Sequence, residues 1–331
     1  MIEFSLTLPR FHDPDDRVPY RRSYEFARTV DELGYAGGFI GHHSFSPEVK
    51  DEAAPFVYLA ALGAHTEQIR LGTGVVPTYP RHPVTMAQLA LTVQAAAGDR
   101  LTLGIGLSHQ MVIENMFGMS FEHPAAHMAD HLAILLPLLR GDAVAHTGES
   151  LSASMALSVP KDVPAPQVVV AALGPRMLRL AGEVADGTAT WMTGPKTLAS
   201  HIIPSITAAA ADAGRPTPRI VAALPVAVTD DVAEARERCA KEFEMYGFLP
   251  SYRAMLDRVF AARILGDVAD VVSALPAKDT FAVPSVIEQG SVAPGELVPA
   301  KSAGNRGAIM LAAGLGTRMR PITDTIPTGL T

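Results

Sequence analysis

The stretch that decides the fold runs from residue 69 to residue 105 and reads IRLGTGVVPTYPRHPVTMAQLALTVQAAAGDRLTLGI. Its first eight residues are mostly apolar or small, as in a buried strand, and Leu101 to Ile105 repeats that pattern. Between them an apolar face recurs at helical spacing, formed by Met86, Leu89, Ala90 and Val93. A strand, a helix and a second strand in this order predict one βαβ unit of a parallel sheet.

The same unit repeats on both sides of this stretch. Strand candidates begin at residues 4, 36, 69 and 101, which are 32, 33 and 32 residues apart. Further apolar runs at 168–172, 188–190 and 220–228, with a short one at 281–283, bring the predicted strands to eight. Eight strands with intervening helices predict a (β/α)8 TIM barrel with insertions. An open doubly wound sheet remains the alternative, because periodicity alone does not show closure.

The composition changes near the C-terminus. We expect residues 1–284 to form the barrel domain and residues 285–331 to be a linker with a loose tail, rich in Pro, Gly, Ser and Ala at first. Ala308 to Thr323, AIMLAAGLGTRMRPIT, resembles the opening strand and phosphate loop of sugar-1-phosphate nucleotidyltransferases. One strand and one turn cannot bury a core, so we expect a non-functional fragment whose deletion, over 290–331, leaves stability and cofactor binding unchanged. If the tail instead covers the end of the barrel, 309–311 would be ordered against it.

The charge and cysteine content excludes several classes of protein. The net charge is −7 without a long basic run, which argues against a nucleic acid or an anionic membrane as partner. Cys239 is the only cysteine among 331 residues, so an internal disulfide and a thiolate zinc cluster are excluded. The first residues lack the pattern of a signal peptide, and no apolar run is long enough to span a bilayer. We therefore expect a cytoplasmic protein.

The residues that follow the second and third strands are candidates for chemistry, since barrel enzymes place their sites at the carboxyl ends of strands. His42 and His43 follow strand two and could move a proton near neutral pH, although loop histidines that only pack are equally compatible with this position. Thr73, Gly74 and Val75 lie in or after strand three. Glycine there allows a flat ring to approach the backbone, or simply allows tight packing.

Two further loops could hold an anion or a ring carbonyl. Gly104 and Gly106, with Ser108 and His109 behind them, could present backbone N–H groups after strand four. After strand five, the run 174–177, Gly174, Pro175, Arg176 and Met177, starts a helix whose free N–H groups and Arg176 guanidinium would seat a phosphate. An ordinary strand-to-helix turn is the alternative for that segment.

A histidine series on a predicted helix could be mistaken for a metal site. His123, His127 and His131 recur every four residues, with Asp130 beside them. The second position of an H-E-x-x-H motif is not glutamate, and the helix would lie outside the mouth of the barrel. We therefore predict no metal here and expect a solvated helix face.

Read in order, several segments resemble the luciferase-like monooxygenase superfamily, and most closely its deazaflavin branch, which uses coenzyme F-420. The resemblance is carried by LGTGV at 71–75, RHPV at 81–84, RLTLGIG at 100–106, GPRMLRLA at 174–181 and ADG at 185–187. These motifs span roughly residues 1 to 283. The resemblance implies a closed barrel that holds the deazaflavin ring at its mouth.

The resemblance also implies roles for single residues. In the deazaflavin members a non-prolyl cis peptide in the third strand lies behind the ring, and Gly74-Val75 is the matching pair. His43 matches a histidine close to the reactive ring carbon, Ser108 or His109 would lie near the ring or its tail, and 174–177 would bind the side-chain phosphate. Many relatives have Asp-His after strand two, whereas this chain has His42-His43, so no neighbouring carboxylate assists His43.

The predicted activity is hydride transfer between the deazaflavin and a small organic substrate, with His43 or His42 handling the proton. An FMN-dependent monooxygenase supplied by a separate reductase is the alternative within the family. A metal-assisted barrel hydrolase and a catalytically inactive binding subunit are alternatives from other classes. Barrels of this type often pair, so we expect a homodimer whose ligands are small molecules.

Overall fold

The structure is a computed structural model that describes residues 2–8, 17, 20–41, 54–158, 162–226, 231–258 and 307–313. Its strands are β1 Ile2–Thr7, β2 Gly37–Ile40, β3 Arg70–Thr73, β4 Val76–Pro77, β5 Leu101–Gly106, β6 Val144–Thr147, β7 Ser152–Met155, β8 Gln167–Ala171, β9 Gly187–Trp191, β10 Arg219–Val226 and β11 Gly307–Ala313. All of them except β6 and β7 form one parallel sheet. β6 and β7 form an antiparallel hairpin.

The parallel sheet closes into a barrel. Its strand order is β3-β2-β1-β11-β10-β9-β8-β5-β4, and β3 also pairs with β5 through Leu71 opposite Leu101 and Gly72 opposite Thr102. β3 and β4 are two halves of one interrupted strand, so the ring has eight positions. The predicted TIM-barrel fold is confirmed, and the open-sheet alternative is wrong because β3 and β5 join the two ends of the sheet.

Helices connect the strands and surround the barrel. They are α1 Arg21–Glu32, α2 Pro55–Gly63, α3 Pro83–Ala96, α4 Pro124–Leu139, α5 Pro175–Val184, α6 Pro195–Thr197, α7 Ile203–Asp212, α8 Val232–Phe243 and α9 Pro250–Arg258, with π-helical turns at Val112–Met116 and Leu198–Ile202 and a 3-10 turn at Glu244–Phe248. Several begin with proline, whose missing N–H costs nothing at a first helical position. Within the described ranges, no helix is both long enough and apolar enough to cross a bilayer.

The interior of the barrel holds its own apolar cluster. Phe39 of β2 packs there with Val169, Val221 and Ala223, and the cluster extends to Trp191 at the end of β9. Because β2 and β8 are far apart in the strand order, Phe39 and Val169 meet only through the inside of the ring. The larger core lies between the outside of the strands and the helices.

The eighth position of the barrel is filled by a segment that the sequence analysis assigned to a loose tail. β11 pairs in parallel with β1 on one side, through five residue pairs from Ile2–Gly307 onward, and with β10 on the other. The short apolar run at 281–283, predicted as strand eight, lies outside the described residues. The loose-tail prediction is therefore wrong for 307–313, because this apolar run fills the gap between β1 and β10. The observed pairing corresponds to the alternative in which the tail covers the end of the barrel.

Candidate active site

The third barrel strand is interrupted at the mouth. β3 stops at Thr73 and β4 starts at Val76, and the peptide bond between Gly74 and Val75 is cis, which confirms the implication of the family resemblance. The N–H of Gly74 donates to the carbonyl of Ile40 in β2, at 2.8 Å. Gly74 and Val75 are half-buried and lie between the two halves of the strand.

The Thr73 side chain replaces the backbone pairing that this interruption removes. Its hydroxyl, which is fully buried, donates to the carbonyl of Gly104 at 2.7 Å and accepts from the N–H of Gly104 at 2.8 Å. Both hydrogen-bonding directions of the Thr73 hydroxyl are thus used to hold β3 against β5. The structure therefore gives Thr73 a positioning role, and its predicted contact with a cofactor stays a prediction.

The two glycines of β5 are required by packing against the interrupted strand. A side chain at Gly104 would place its Cβ 2.0 Å from the Thr73 carbonyl oxygen, and one at Gly106 would lie 2.8 Å from Cγ2 of Val75. Both glycines are buried. The sequence analysis linked them to a ligand, whereas their glycine character already follows from this close approach of two strands.

Beyond β5 the backbone turns sharply. Ser108 has φ +63°, in the left-handed region that residues with a side chain rarely adopt. The next residue, His109, is half-buried, and its ring lies 5.9 Å from the ring of Tyr252 and 6.5 Å from that of Tyr246. Strained backbone of this kind clusters at functional sites, and the predicted place of Ser108 near a cofactor ring stays a prediction.

The loop after β8 was predicted to seat a phosphate, and that role stays a prediction. Gly174 precedes α5 without a side-chain cap, and a Cβ at Gly174 would meet no atom within 4 Å. The side chain of Arg176 is exposed beside this helix start, and that of Met177 is half-buried. The first N–H groups of a helix have no partner inside it, so this end is open to an anion.

A histidine that the sequence analysis did not select supports this loop. His201 lies in the π-helical turn after β9, and its Nε2 is 3.0 Å from the carbonyl oxygen of Leu173. This contact ties the turn after β9 to the loop that begins α5. The sequence neighbours of His201, Ile202 and Ile203, gave no signal of that role.

Aromatic side chains form one wall of the mouth. Trp191 ends β9, and its ring lies 5.8 Å from Phe243 and 6.4 Å from Tyr246. The rings of Tyr246 and Tyr252 meet edge to face at 4.9 Å. This group was not predicted, because its rings come from four separate elements, namely β9, α8, the 3-10 turn and α9. The only tryptophan of the chain, at a strand end, was the one available signal.

Burial keeps the phenols of this wall protonated. Burial raises the pKa of Tyr246, and the indole of Trp191 opposes that rise in part. Burial, and to a smaller extent the neighbouring Tyr246, raises the pKa of Tyr252 strongly. At neutral pH both hydroxyl groups are therefore uncharged.

The two histidines predicted to move a proton, His42 and His43, lie outside the described residues. They follow β2 directly in sequence after Gly41, at the carboxyl end of a barrel strand. Their assignment stays a prediction.

The histidine series on α4 is not the solvated face that the sequence analysis expected. His127 and His131 are buried, whereas His123 is exposed and contacts Glu149. The His127 ring stacks on Tyr79 at 3.9 Å. Burial, together with neighbouring His127, lowers the pKa of His131 to about 3, so this imidazole is neutral. Among the described residues, no group of three potential ligands could hold a metal ion.

Asp130, in the same helix, anchors the β6–β7 hairpin. Its carboxylate accepts from the N–H of Ser150 at 2.7 Å and lies 2.9 Å from Nε2 of His146. Burial alone would raise the pKa of Asp130, but these partners and the N–H of Leu151 lower it. A Cβ at Gly148 would lie 2.0 Å from the carboxylate, so glycine is required there.

Comparison with known proteins agrees with this geometry. The family model described as luciferase-like monooxygenase matches residues 2–270. The chain is 28% identical to the 5,10-methylenetetrahydromethanopterin reductase of Methanolobus tindarius over 227 residues, which are 68% of this chain and 66% of that protein.

Two solved structures share the fold. A coenzyme F-420 dependent tetrahydromethanopterin reductase from Methanopyrus kandleri superposes with a TM-score of 0.58 at 19% identity, over 82% of each chain. The oxygenating constituent of 3,6-diketocamphane monooxygenase from Pseudomonas putida, in complex with FMN, superposes with a TM-score of 0.61 at 17% identity, over 83% of each chain. With the family model matching most of its length and the barrel closed around an interrupted third strand, this chain is an enzyme of the luciferase-like monooxygenase family.

Proposed function

We propose that this enzyme transfers a hydride between a deazaflavin, coenzyme F-420, and a small organic substrate. The sequence relative named a methylenetetrahydromethanopterin reductase and the structural relative named as F-420 dependent support this choice. The observation that carries the proposal is the common position of three backbone features in the barrel. The interrupted strand at Gly74, the strained turn at Ser108 and the open helix start at Gly174 all follow strands at the carboxyl end of one closed barrel.

The described residues suit a planar ring with an anionic tail. Gly74 and Val75 would face the ring, Ser108 and His109 would lie near it, and the start of α5 with Arg176 would hold the phosphate. A bound deazaflavin supplies a ring carbon that accepts or releases a hydride. The aromatic wall excludes water from that region, and the protein holds ring and substrate in contact.

A histidine after β2 would handle the proton. We assign this role to His43, or to its neighbour His42, from their position in the sequence. An imidazole with a pKa near its ordinary value can donate or accept a proton close to neutral pH.

The decisive experiment is a titration of the protein with the deazaflavin and, separately, with FMN. Quenching of Trp191, the only tryptophan, and of the cofactor's own fluorescence reports binding. We expect saturable binding of the deazaflavin and abolition of that binding by Gly74→Val, whose branched side chain would intrude on the ring. Gly194→Ala is the matched control, since a Cβ there meets no atom within 4 Å. Unchanged deazaflavin affinity in Gly74→Val would remove Gly74 from the site.

The second candidate is an FMN-dependent monooxygenase that receives reduced flavin from a separate reductase. The FMN complex of the 3,6-diketocamphane monooxygenase constituent favours it. FMN binding without deazaflavin binding, together with oxygen consumption on addition of reduced FMN, would establish this candidate instead.

We also propose a homodimer that acts in the cytoplasm on small molecules, without a nucleic-acid partner. Helix α2 is almost wholly apolar, and Val57 on its surface is 68% exposed, which suits a contact between copies. Light scattering on the purified protein tests the oligomeric state.

A further inference from the structure

The loops around the mouth expose large apolar side chains. In the segment that follows β5, Met111, Met116 and Met119 are 47%, 52% and 40% exposed. In the 3-10 turn that follows α8, Phe248 is 77% exposed. A contiguous patch of large apolar side chains on a protein surface marks an interaction or ligand-binding site. We call these four residues the apolar rim.

The apolar rim is continuous with the aromatic wall. Met111 lies two residues after His109, and Phe248 lies two residues after Tyr246. The rings of His109 and Tyr246 are 6.5 Å apart and nearly perpendicular, so the two rim segments meet at this contact. The wall rings, Trp191 included, are half-buried and so retain accessible surface.

The polar groups of this region are neutral or already engaged. Burial raises the pKa of both the Tyr246 and the Tyr252 phenol, Tyr246 adds to the rise at Tyr252, and Trp191 opposes the rise at Tyr246, so no cause is a charged group. Glu114, on the segment that carries the methionines, binds the side-chain amide of Gln110 at 3.0 Å. Arg176 lies at the start of α5, where the proposed anionic tail ends.

From this arrangement we infer that the substrate of the proposed reaction is an uncharged, flat, conjugated molecule that packs against Trp191 and Tyr246 and is covered by the apolar rim. The inference rests on the proposed function, because it names the substrate class of the same site. A flat conjugated molecule gains both from the apolar surface and from edge-to-face contact with the wall rings. The wall contacts described above are between aromatic rings, so a carboxylate or phosphate packed against these rings would lose hydration to apolar surface.

Coumarin and coumarin-3-carboxylate test the inference, since they share one ring system and differ by a charge. Equilibrium dialysis against the full chain, with and without the deazaflavin, measures both affinities. We expect coumarin to bind at least tenfold more tightly than its carboxylate. Equal or tighter binding of the carboxylate would overturn the inference.

Variants place the probe at the wall. Tyr246→Ala and Phe248→Ala should each weaken coumarin binding about three- to tenfold, which corresponds to the free energy of one aromatic contact. Phe248 is exposed, so its replacement should not disturb folding. Met155→Ala, on the β6–β7 hairpin and 37% exposed, is the matched control and should leave the affinity unchanged. If both Phe248→Ala and Tyr246→Ala bind coumarin as Met155→Ala does, the inference is wrong.

The two proposals fail in different ways. Loss of deazaflavin binding with retained, Tyr246-dependent coumarin binding would contradict the proposed cofactor and leave the apolar wall in place. Deazaflavin binding together with a preference for the charged coumarin would support the cofactor and overturn the substrate class.

Discussion

Replacing Thr73 by valine should destabilise the barrel far more than the loss of one hydroxyl suggests. Valine keeps the shape of the side chain and removes only its hydrogen bonding. In the wild-type chain the Thr73 hydroxyl satisfies both the N–H and the carbonyl of Gly104, at 2.8 and 2.7 Å, in a site without solvent. The interruption between β3 and β4 leaves no backbone partner nearby for these two groups.

The magnitude follows from the two groups left unpaired. A buried polar group that loses its partner costs about 1–3 kcal/mol, so Thr73→Val should lower the free energy of unfolding by about 2–4 kcal/mol after partial relaxation. Thr188→Val is the matched control. The Thr188 hydroxyl is equally buried but only donates, to the Val170 carbonyl at 2.8 Å, so its loss should cost about 1 kcal/mol.

Urea unfolding followed by Trp191 fluorescence measures both values, since Trp191 is the only tryptophan. The proposed cofactor site adds a second readout. Because Thr73 holds the strand beside Gly74, Thr73→Val should also weaken deazaflavin binding, whereas Thr188→Val should not. If Thr73→Val costs no more than Thr188→Val, Thr73 does not substitute for missing strand pairing.

Three further results are expected. Deletion of 307–331 should lower the midpoint of thermal unfolding and cause self-association measurable by light scattering, because it bares the facing edges of β1 and β10; an unchanged midpoint would show that β11 does not hold the sheet closed. Gly148→Ala should cost about 1–3 kcal/mol in urea unfolding, because its Cβ displaces the Asp130 carboxylate, and a neutral result would contradict that anchor. Burial holds the pKa of His131 near 3, against about 6.5 in an unfolded chain, so the unfolded state binds more protons below pH 6.5. His131 alone should therefore lower stability by about 1.4 kcal/mol from pH 7.5 to pH 5.5, so over this range the wild type should lose about that much more stability than His131→Gln.

The parts of the fold that were predictable are those encoded in apolar periodicity. The run from 101 to 105 appears as β5 with one added residue, and Pro175 does start α5. The start of the first helix carries no such signal, since its N-cap residue, Tyr20, makes no side-chain capping hydrogen bond.

The missed elements share a physical reason. The hairpin of β6 and β7 is mostly polar and partly exposed, and it is held by Asp130 from a distant helix, so its own residues carry little strand signal. The aromatic wall combines Trp191 with rings from the segment after β10. Such a group depends on which loops meet in space, and one sequence does not contain that information.

Among the site residues, glycine gave the most ambiguous signal. Gly104 and Gly174 both look like ligand-approach positions in the sequence. In the structure, the first is glycine because another strand lies 2.0 Å from its missing Cβ, and the second has open space around it. A pattern of glycines therefore indicates that another group approaches the backbone closely, but it does not indicate whether that group belongs to the protein or to a ligand.

The position of β11 also governs when this protein can fold. β1 is synthesised well before β11, and one of its two edges is paired by residues 307–313. The ring therefore cannot close on a nascent chain until residues 307–313 have been synthesised, and the edges of β1 and β10 stay available to other strands during that interval. Until then, each of these edges is a place where a newly made chain can pair with another chain instead of closing its own ring.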